Sequence, residues 1–232
     1  MKLVVFGANG QTGRLIVKQA LAAGHDVTAA VRRPHEFPLQ GTSLRVEQAD
    51  AMNVDAVDRV VAGQEAVISA LGGAGYTKEQ VSIYSQGIAN IIKAMTAHNV
   101  RRLACVSTTA VTFQTPPGED LVHRILFKLL IRMGRTVYED NARMEENVRG
   151  SDLDWTIIRA AGLFDRDTRT DYEIRTPGRP GHYTARIDLA DALIRAVVEN
   201  RHAGQVIEAI TTEGTPTVLD IVRKEVFGRA DR

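Results

Sequence analysis

Short apolar runs alternate with amphipathic stretches from the amino terminus to about position 160. Lys2-Leu3-Val4-Val5-Phe6 reads as a buried strand, because four consecutive apolar residues leave no face for solvent. Residues 12–23 carry the helical period and stop at Gly24, the residue type that commonly ends helices. The same reading predicts strands at 26–31, 43–47, 65–71, 101–106, 155–158 and 205–210, with a long helix over about 78–97. Strands separated by helices pair in parallel through right-handed crossovers. The expected fold class is therefore α/β, a Rossmann-type doubly wound parallel sheet. Between about 162 and 185 the pattern loosens into a polar stretch with Pro177, Gly178, Pro180 and Gly181. That stretch is expected to form a small lobe beside the carboxyl ends of the strands, where such sheets bind ligands. One domain over 1–232 is expected, with about 1–160 as a nucleotide-binding core and the remainder as substrate lobe, last strand and helix.

The first strand runs into Gly7-Ala8-Asn9-Gly10-Gln11-Thr12-Gly13. Glycines at these spacings permit a tight turn, close approach of the backbone to a pyrophosphate, and close packing of helix on strand. The helix start then supplies free N–H groups and a partial positive charge. A plain structural turn is the alternative, but the strand before and the amphipathic helix after are the context the motif requires. The second strand ends in Val31-Arg32-Arg33-Pro34, with no carboxylate where an NAD ribose would be gripped. Paired guanidinium groups suit a 2′-phosphate, so NADP(H) is the expected cofactor; the alternative is two solvated surface arginines. Asp50-Ala51-Met52 follows the third strand and is expected to border the adenine, Asp50 accepting from its amino group. Ala70-Leu71-Gly72-Gly73 closes the fourth, where small residues let a dinucleotide lie against the backbone.

Composition adds exclusions. With 29 basic and 28 acidic residues among 232, the net charge of +1 argues against a nucleic-acid partner. A hydrophobic fraction of 44% and a charged fraction of 25% are those of an ordinary globular chain. One cysteine, Cys105 in a buried strand, forbids an internal disulfide and fits a reducing compartment. Met1 leads straight into a strand, so no signal peptide is expected, and no apolar run approaches the roughly 20 residues of a spanning helix. A cytoplasmic location, a small-molecule acceptor and no membrane partner are the expectation; the oligomeric state stays open. His25, His35, His98, His123, His182 and His202 show no metal-ligand spacing, and no metal is expected. His182 and Tyr183 either face a substrate from the lobe or form an exposed loop pair; Trp155 reads as core.

The glycine loop, Val31-Arg32-Arg33-Pro34, Asp50 and Ser107 resemble the atypical branch of the short-chain dehydrogenase/reductase superfamily. The likeness continues through Asp152-Leu153-Asp154-Trp155-Thr156-Ile157-Ile158-Arg159 and Ile187-Asp188-Leu189-Ala190-Asp191-Ala192, nearly the whole chain. Within that branch the chain is similar to NAD(P)H-binding proteins grouped with biliverdin reductase B (flavin reductase) and with NmrA-like regulators. Ala104-Cys105-Val106-Ser107 and Asp140-Asn141-Ala142-Arg143-Met144 carry the likeness to biliverdin reductase B. The resemblance implies that Ser107 lies beside a nicotinamide and that Ala160-Ala161-Gly162-Leu163 pass along its other side. Standard members use Tyr-x-x-x-Lys, in which lysine helps tyrosine pass a proton. Here Tyr138 is followed four places on by Ala142, and Arg143 lies five places on, about 140° around a helix. Biliverdin reductase B-like proteins also tend to carry histidine where Asn141 stands.

Two function classes follow. One is an NADPH-dependent oxidoreductase that delivers hydride to a flavin, quinone or tetrapyrrole-like acceptor without that relay, a flavin then being a substrate. Ser107 would be its catalytic residue, bonded to the acceptor or to a water that supplies the proton; alternatively Ser107 caps the following turn. The other class is a non-catalytic NADP(H)-binding redox sensor, which the NmrA-like resemblance implies. One segment stands apart. Arg124, Lys128, Arg132 and Arg135 make a basic face, expected to oppose an apolar face of Leu121, Val122, Ile125, Leu126, Leu129, Leu130 and Met133. It reads as a surface helix with a solvated side, as a lid hinged at Pro116-Pro117-Gly118, or as a membrane-surface helix.

Overall fold

In a computed structural model of the protein, which describes residues 1–72, 77, 79–114, 121–178 and 181–216, the chain begins with strand β1 (Lys2–Phe6). Helix α1 (Gln11–Ala22) leads to β2 (Asp26–Val31) and β3 (Leu44–Gln48), then α2 (Val54–Val61) and β4 (Ala66–Ser69). Next come α3 (Ile83–Ala97), β5 (Arg102–Thr108), the long α4 (Leu121–Arg149) and β6 (Asp154–Ala160). Three short strands, β7 (Gly162–Phe164), β8 (Glu173–Arg175) and β9 (Tyr183–Ala185), precede α5 (Arg186–Glu199) and β10 (Gln205–Ile210). The main sheet has the order β3-β2-β1-β4-β5-β6-β10-β8; all its pairs are parallel except β10 with β8. The fold is the Rossmann-like α/β sheet expected.

The apolar run of β1 is explained by its two covered faces. Leu3 and Val5 join a cluster with Ile16 and Val17 of α1 and Leu189 and Leu193 of α5. Val4 and Phe6, pointing the other way, join Val57 of α2, Ile88 and Ile91 of α3 and Met144 of α4. Strand order reverses between β1 and β4, and that reversal opens a crevice at the carboxyl ends of both.

Several expectations are corrected. The stretch after β6 is not irregular: β7 and β9 pair in parallel as a small second sheet, while β8 extends the main sheet. α3 begins at Ile83, short of the expected start, and the helix predicted over 121–133 continues to Arg149. The apolar residues of its first half do not share one inward face. Phe127 and Ile131 pack against Val81, Ala110, Val137 and Tyr138, whereas Leu121, Ile125, Leu129 and Met133 are exposed. Gly73, Lys78, the Pro116-Pro117-Gly118 turn, Pro180, and the side chains of Val122, His123 and Leu126 lie outside the described residues.

Candidate cofactor and active site

The crevice is a cavity of about 910 Å³ running along the carboxyl ends of β2, β1, β4, β5 and β6. At its centre the chain turns from β1 into α1. Gly7 has φ +73°, and a Cβ there would collide with the carbonyl of Ala70. A Cβ on Gly13 would collide with the carbonyl of Gly7, so α1 can approach β1 only because that position is bare. Gly10 is the residue before α1 and offers no side chain to cap it, and the first turn holds no acidic residue. The leading N–H groups of Gln11, Thr12 and Gly13, which all line the cavity, are therefore left for an anion. Asn9 lines the wall too, and its Oδ1 accepts from Nε and Nη2 of Arg14 at 3.0 and 2.8 Å.

One end of the cavity holds Arg32, Arg33, Asp50 and Ala51. Arg33 pairs with Glu36 at 2.8 Å, both well exposed, an interaction weak enough for a phosphate to displace. Asp50 accepts from the amide of Met52 at 2.9 Å, which fixes its turn and leaves its second carboxylate oxygen for a ligand. Ala51 is pinned by Asn90, whose Nδ2 donates to its carbonyl at 2.8 Å. Ala70, Leu71 and Gly72 form the wall between the two ends.

At the other end lie Ser107, Thr108, Tyr84, Val137, Tyr138, Asn141 and Ala161. Val137, Asn141 and Glu145 are four residues apart on α4, so they form one row facing β5 and β6. Ser107, at the end of β5, donates its hydroxyl proton to Glu145 Oε1 at 2.6 Å; both residues are buried. Arg159 of β6 grips the same carboxylate with Nε and Nη2 at 2.8 and 2.7 Å, and Arg149 adds a bond at 2.8 Å. With its proton given to Glu145, the Ser107 hydroxyl, which lines the cavity, keeps only its capacity to accept. The Nδ2 of Asn141 donates to Val137 O at 2.9 Å, directing the amide oxygen away from that bond. Tyr84 is held above the ordinary tyrosine pKa by burial and then by the charge of Asp140, so its hydroxyl keeps its proton.

Tyr138 lines the wall, and among the described residues no lysine does. The guanidinium of Arg143 instead reaches Val81 O and Asp140 at 3.0 and 3.1 Å. Gly162 stands outside the wall; its amide donates to His182 O at 2.8 Å, where a Cβ would also crowd, so the bare position seats β7 against β9. His182 is exposed and Tyr183 packs edge-on to Phe164; neither lines the cavity. Cys105 is buried and burial, then Glu145, pushes its thiol pKa up, as befits a core residue. Among the described residues no group of three or more His, Cys, Asp or Glu is arranged for a metal. Leu163 lines the wall, as the resemblance implied, whereas Ile83, Tyr84, Thr108, Val137 and Arg186 are wall residues that the sequence reading did not single out. Arg186 stood in view, one residue before the Ile187–Ala192 motif, and its Nη1 donates to Asp165 at 2.8 Å.

A family model described as NAD(P)H-binding matches residues 7–200. The 2-alkyl-3-oxoalkanoate reductase of Stenotrophomonas maltophilia is 33% identical over 125 residues, 52% of this chain and 38% of that protein. The chain thus spans well under half of that relative. A short-chain dehydrogenase/reductase from Veillonella parvula in complex with NADP superposes with a TM-score of 0.76 at 19% identity, covering 91% of this chain and 95% of the other. ChuY of Escherichia coli O157:H7, an anaerobillin reductase, gives 0.76 at 19% identity over 94% of this chain and all of its own. Both structures share the fold. With the match spanning the glycine loop, the core strands β2 to β6 and α5, the chain belongs to the NAD(P)H-binding family.

Proposed function

We propose that the protein is an NADPH-dependent reductase whose acceptor is a flavin, a quinone or a tetrapyrrole-like molecule, reduced without a Tyr-x-x-x-Lys relay. One observation carries the reading. A single cavity has an uncapped helix start at its centre, two arginines at one end, and hydroxyl and amide groups at the other. NADPH, when bound, supplies the hydride. Gln11, Thr12 and Gly13 would hold its pyrophosphate through backbone N–H groups, with Gly10, whose own amide closes the turn onto Gly7 O, letting it lie close. Arg32 and Arg33 would hold the 2′-phosphate, and Asp50 the adenosine end. Ser107, with its proton committed to Glu145, acts as a fixed acceptor that orients a donor group on the cofactor or the acceptor. It is therefore a positioning group more than a proton source, which modifies the role expected from the sequence. Conjugated acceptors suit such a site, because the reduced product can take its proton from water without a strong acid beside it.

Calorimetric titration separates the parts. NADPH is expected to bind at least about tenfold more tightly than NADH, since one charge-assisted bond contributes about 1.5–3 kcal/mol. Arg33→Ala and Arg32→Ala together should erase that preference while leaving NADH binding unchanged. Equal affinities in the unaltered protein would remove the assignment. NADPH oxidation in the presence of FMN, a quinone or biliverdin then tests the chemistry; tight binding with no turnover on any of them would identify a redox sensor instead.

A further inference from the structure

The first four turns of α4 carry apolar side chains on two opposite sides, and only one side is covered. Phe127 and Ile131 pack inward, in line with the buried Gly134 and Tyr138. About half a turn away, Leu121, Ile125, Leu129 and Met133 follow one another at four-residue steps, with 70, 58, 52 and 53% of their surface exposed. A contiguous apolar stripe of that kind marks an interaction surface. Arg124, Lys128 and Arg132 each sit three residues from a member of the stripe, so a cationic row runs beside it at about 60° around the helix. Among the described residues no carboxylate lies within ion-pair distance of these three, whereas Arg135 is paired with Glu139 at 2.7 Å. From Leu121 to Tyr138 the sequence holds no acidic residue.

We propose that this segment lies on an anionic phospholipid surface, its apolar stripe entering the acyl boundary and its cations meeting lipid phosphates. A second copy of the chain is the competing occupant, but pairing stripe to stripe would press two cationic rows together with no acidic residue of the segment to offset them. A bilayer carrying negative charge satisfies both rows at once. No helix among the described residues is long and apolar enough to cross a membrane, so the segment rests in the interface. This reading replaces the expectation of no membrane partner and adopts the membrane-surface alternative for the helix. It is independent of the cofactor and the acceptor.

Co-sedimentation of the full chain with phosphatidylcholine vesicles, with and without phosphatidylglycerol, tests the proposal. Binding is expected only to the phosphatidylglycerol-containing vesicles, and rising salt should weaken it. Lys128→Glu with Arg132→Glu should reduce the partition coefficient by about 25-fold or more, at about fivefold per cation lost. Ile125→Glu with Leu129→Glu should abolish binding with an unchanged circular dichroism melt, because both side chains already face solvent. No sedimentation of the unaltered protein with phosphatidylglycerol vesicles would overturn the proposal. So would binding that survives both double substitutions, or a dimer seen by light scattering without vesicles that Ile125→Glu with Leu129→Glu dissociates.

Discussion

Glu145 holds donors from three residues on its two oxygens, and removing its charge costs whatever those donors cannot recover. Arg149 is half-exposed and would turn to water, but the Arg159 side chain is only 11% exposed and has nowhere to go. Glu145→Gln is therefore expected to destabilise by about 3 kcal/mol, near the lower bound for a broken buried pair. That corresponds to a melting temperature lower by roughly 6–12 °C in calorimetry. Ser107→Ala removes only a neutral hydroxyl and should lower stability by about 1 kcal/mol. A comparable loss in both variants would mean that the Ser107 bond, not the Arg159 charge, sets the cost. The glycine loop and the Arg32–Arg33 pair were legible in the sequence because their chemistry is local, residues adjacent on one strand end. The Ser107–Glu145–Arg159 group was not, because its members come from β5, α4 and β6 and meet only when the sheet is built.

α3 begins without a cap from the residue that precedes it: Ser82, in the capping position, makes no side-chain cap. Asp140 of α4 supplies it from 55 or more positions away, accepting from the amides of Tyr84 and Ser85 and from the Ser85 hydroxyl while fully buried. Asp140→Ala leaves those donors inside and should cost about 1–3 kcal/mol. Hydrogen exchange should accelerate first at the amides of Tyr84 and Ser85; uniform acceleration along α3 would contradict a local cap. Because Ile83 and Tyr84 line the cavity, the same change should loosen ligand binding. This borrowed cap also explains why the start of α3 was misplaced from sequence, where no local signal marks it. Core strands were legible within a few residues, since burial on both faces leaves an uninterrupted apolar run. The carboxyl ends of β5 and β6 were cut short, since these strands extend to Thr108 and Ala160, small or polar residues that line the cavity, while β4 stops at Ser69, short of the expected position 71. β7, β8 and β9 are three residues each, too short for a period of two to show.

At the scale of the molecule, a cavity lined from β2 to α5 means that one ligand would touch most of the elements at once. Binding to the folded chain alone stabilises it by mass action, about 2.7 kcal/mol at a hundredfold excess over Kd. NADPH at that ratio should raise the melting temperature by roughly 5–11 °C, and NADH at the same concentration by less. The matched family span, 7–200, stops before β10, yet β10 fills the gap between β6 and β8 and is held by more than its ladder. Thr184 donates to Ala209 O at 2.7 Å, and Thr211 donates to the buried Asp188 at 2.6 Å while accepting from Ala185 N. A chain ended at residue 200 would strip one side of β6, laying bare Ile157 and Ile158 along a ragged sheet margin, and would cast β8 adrift. Anyone choosing where to truncate for expression must keep the protein through at least Thr211, or expect fibrous, self-adhering material.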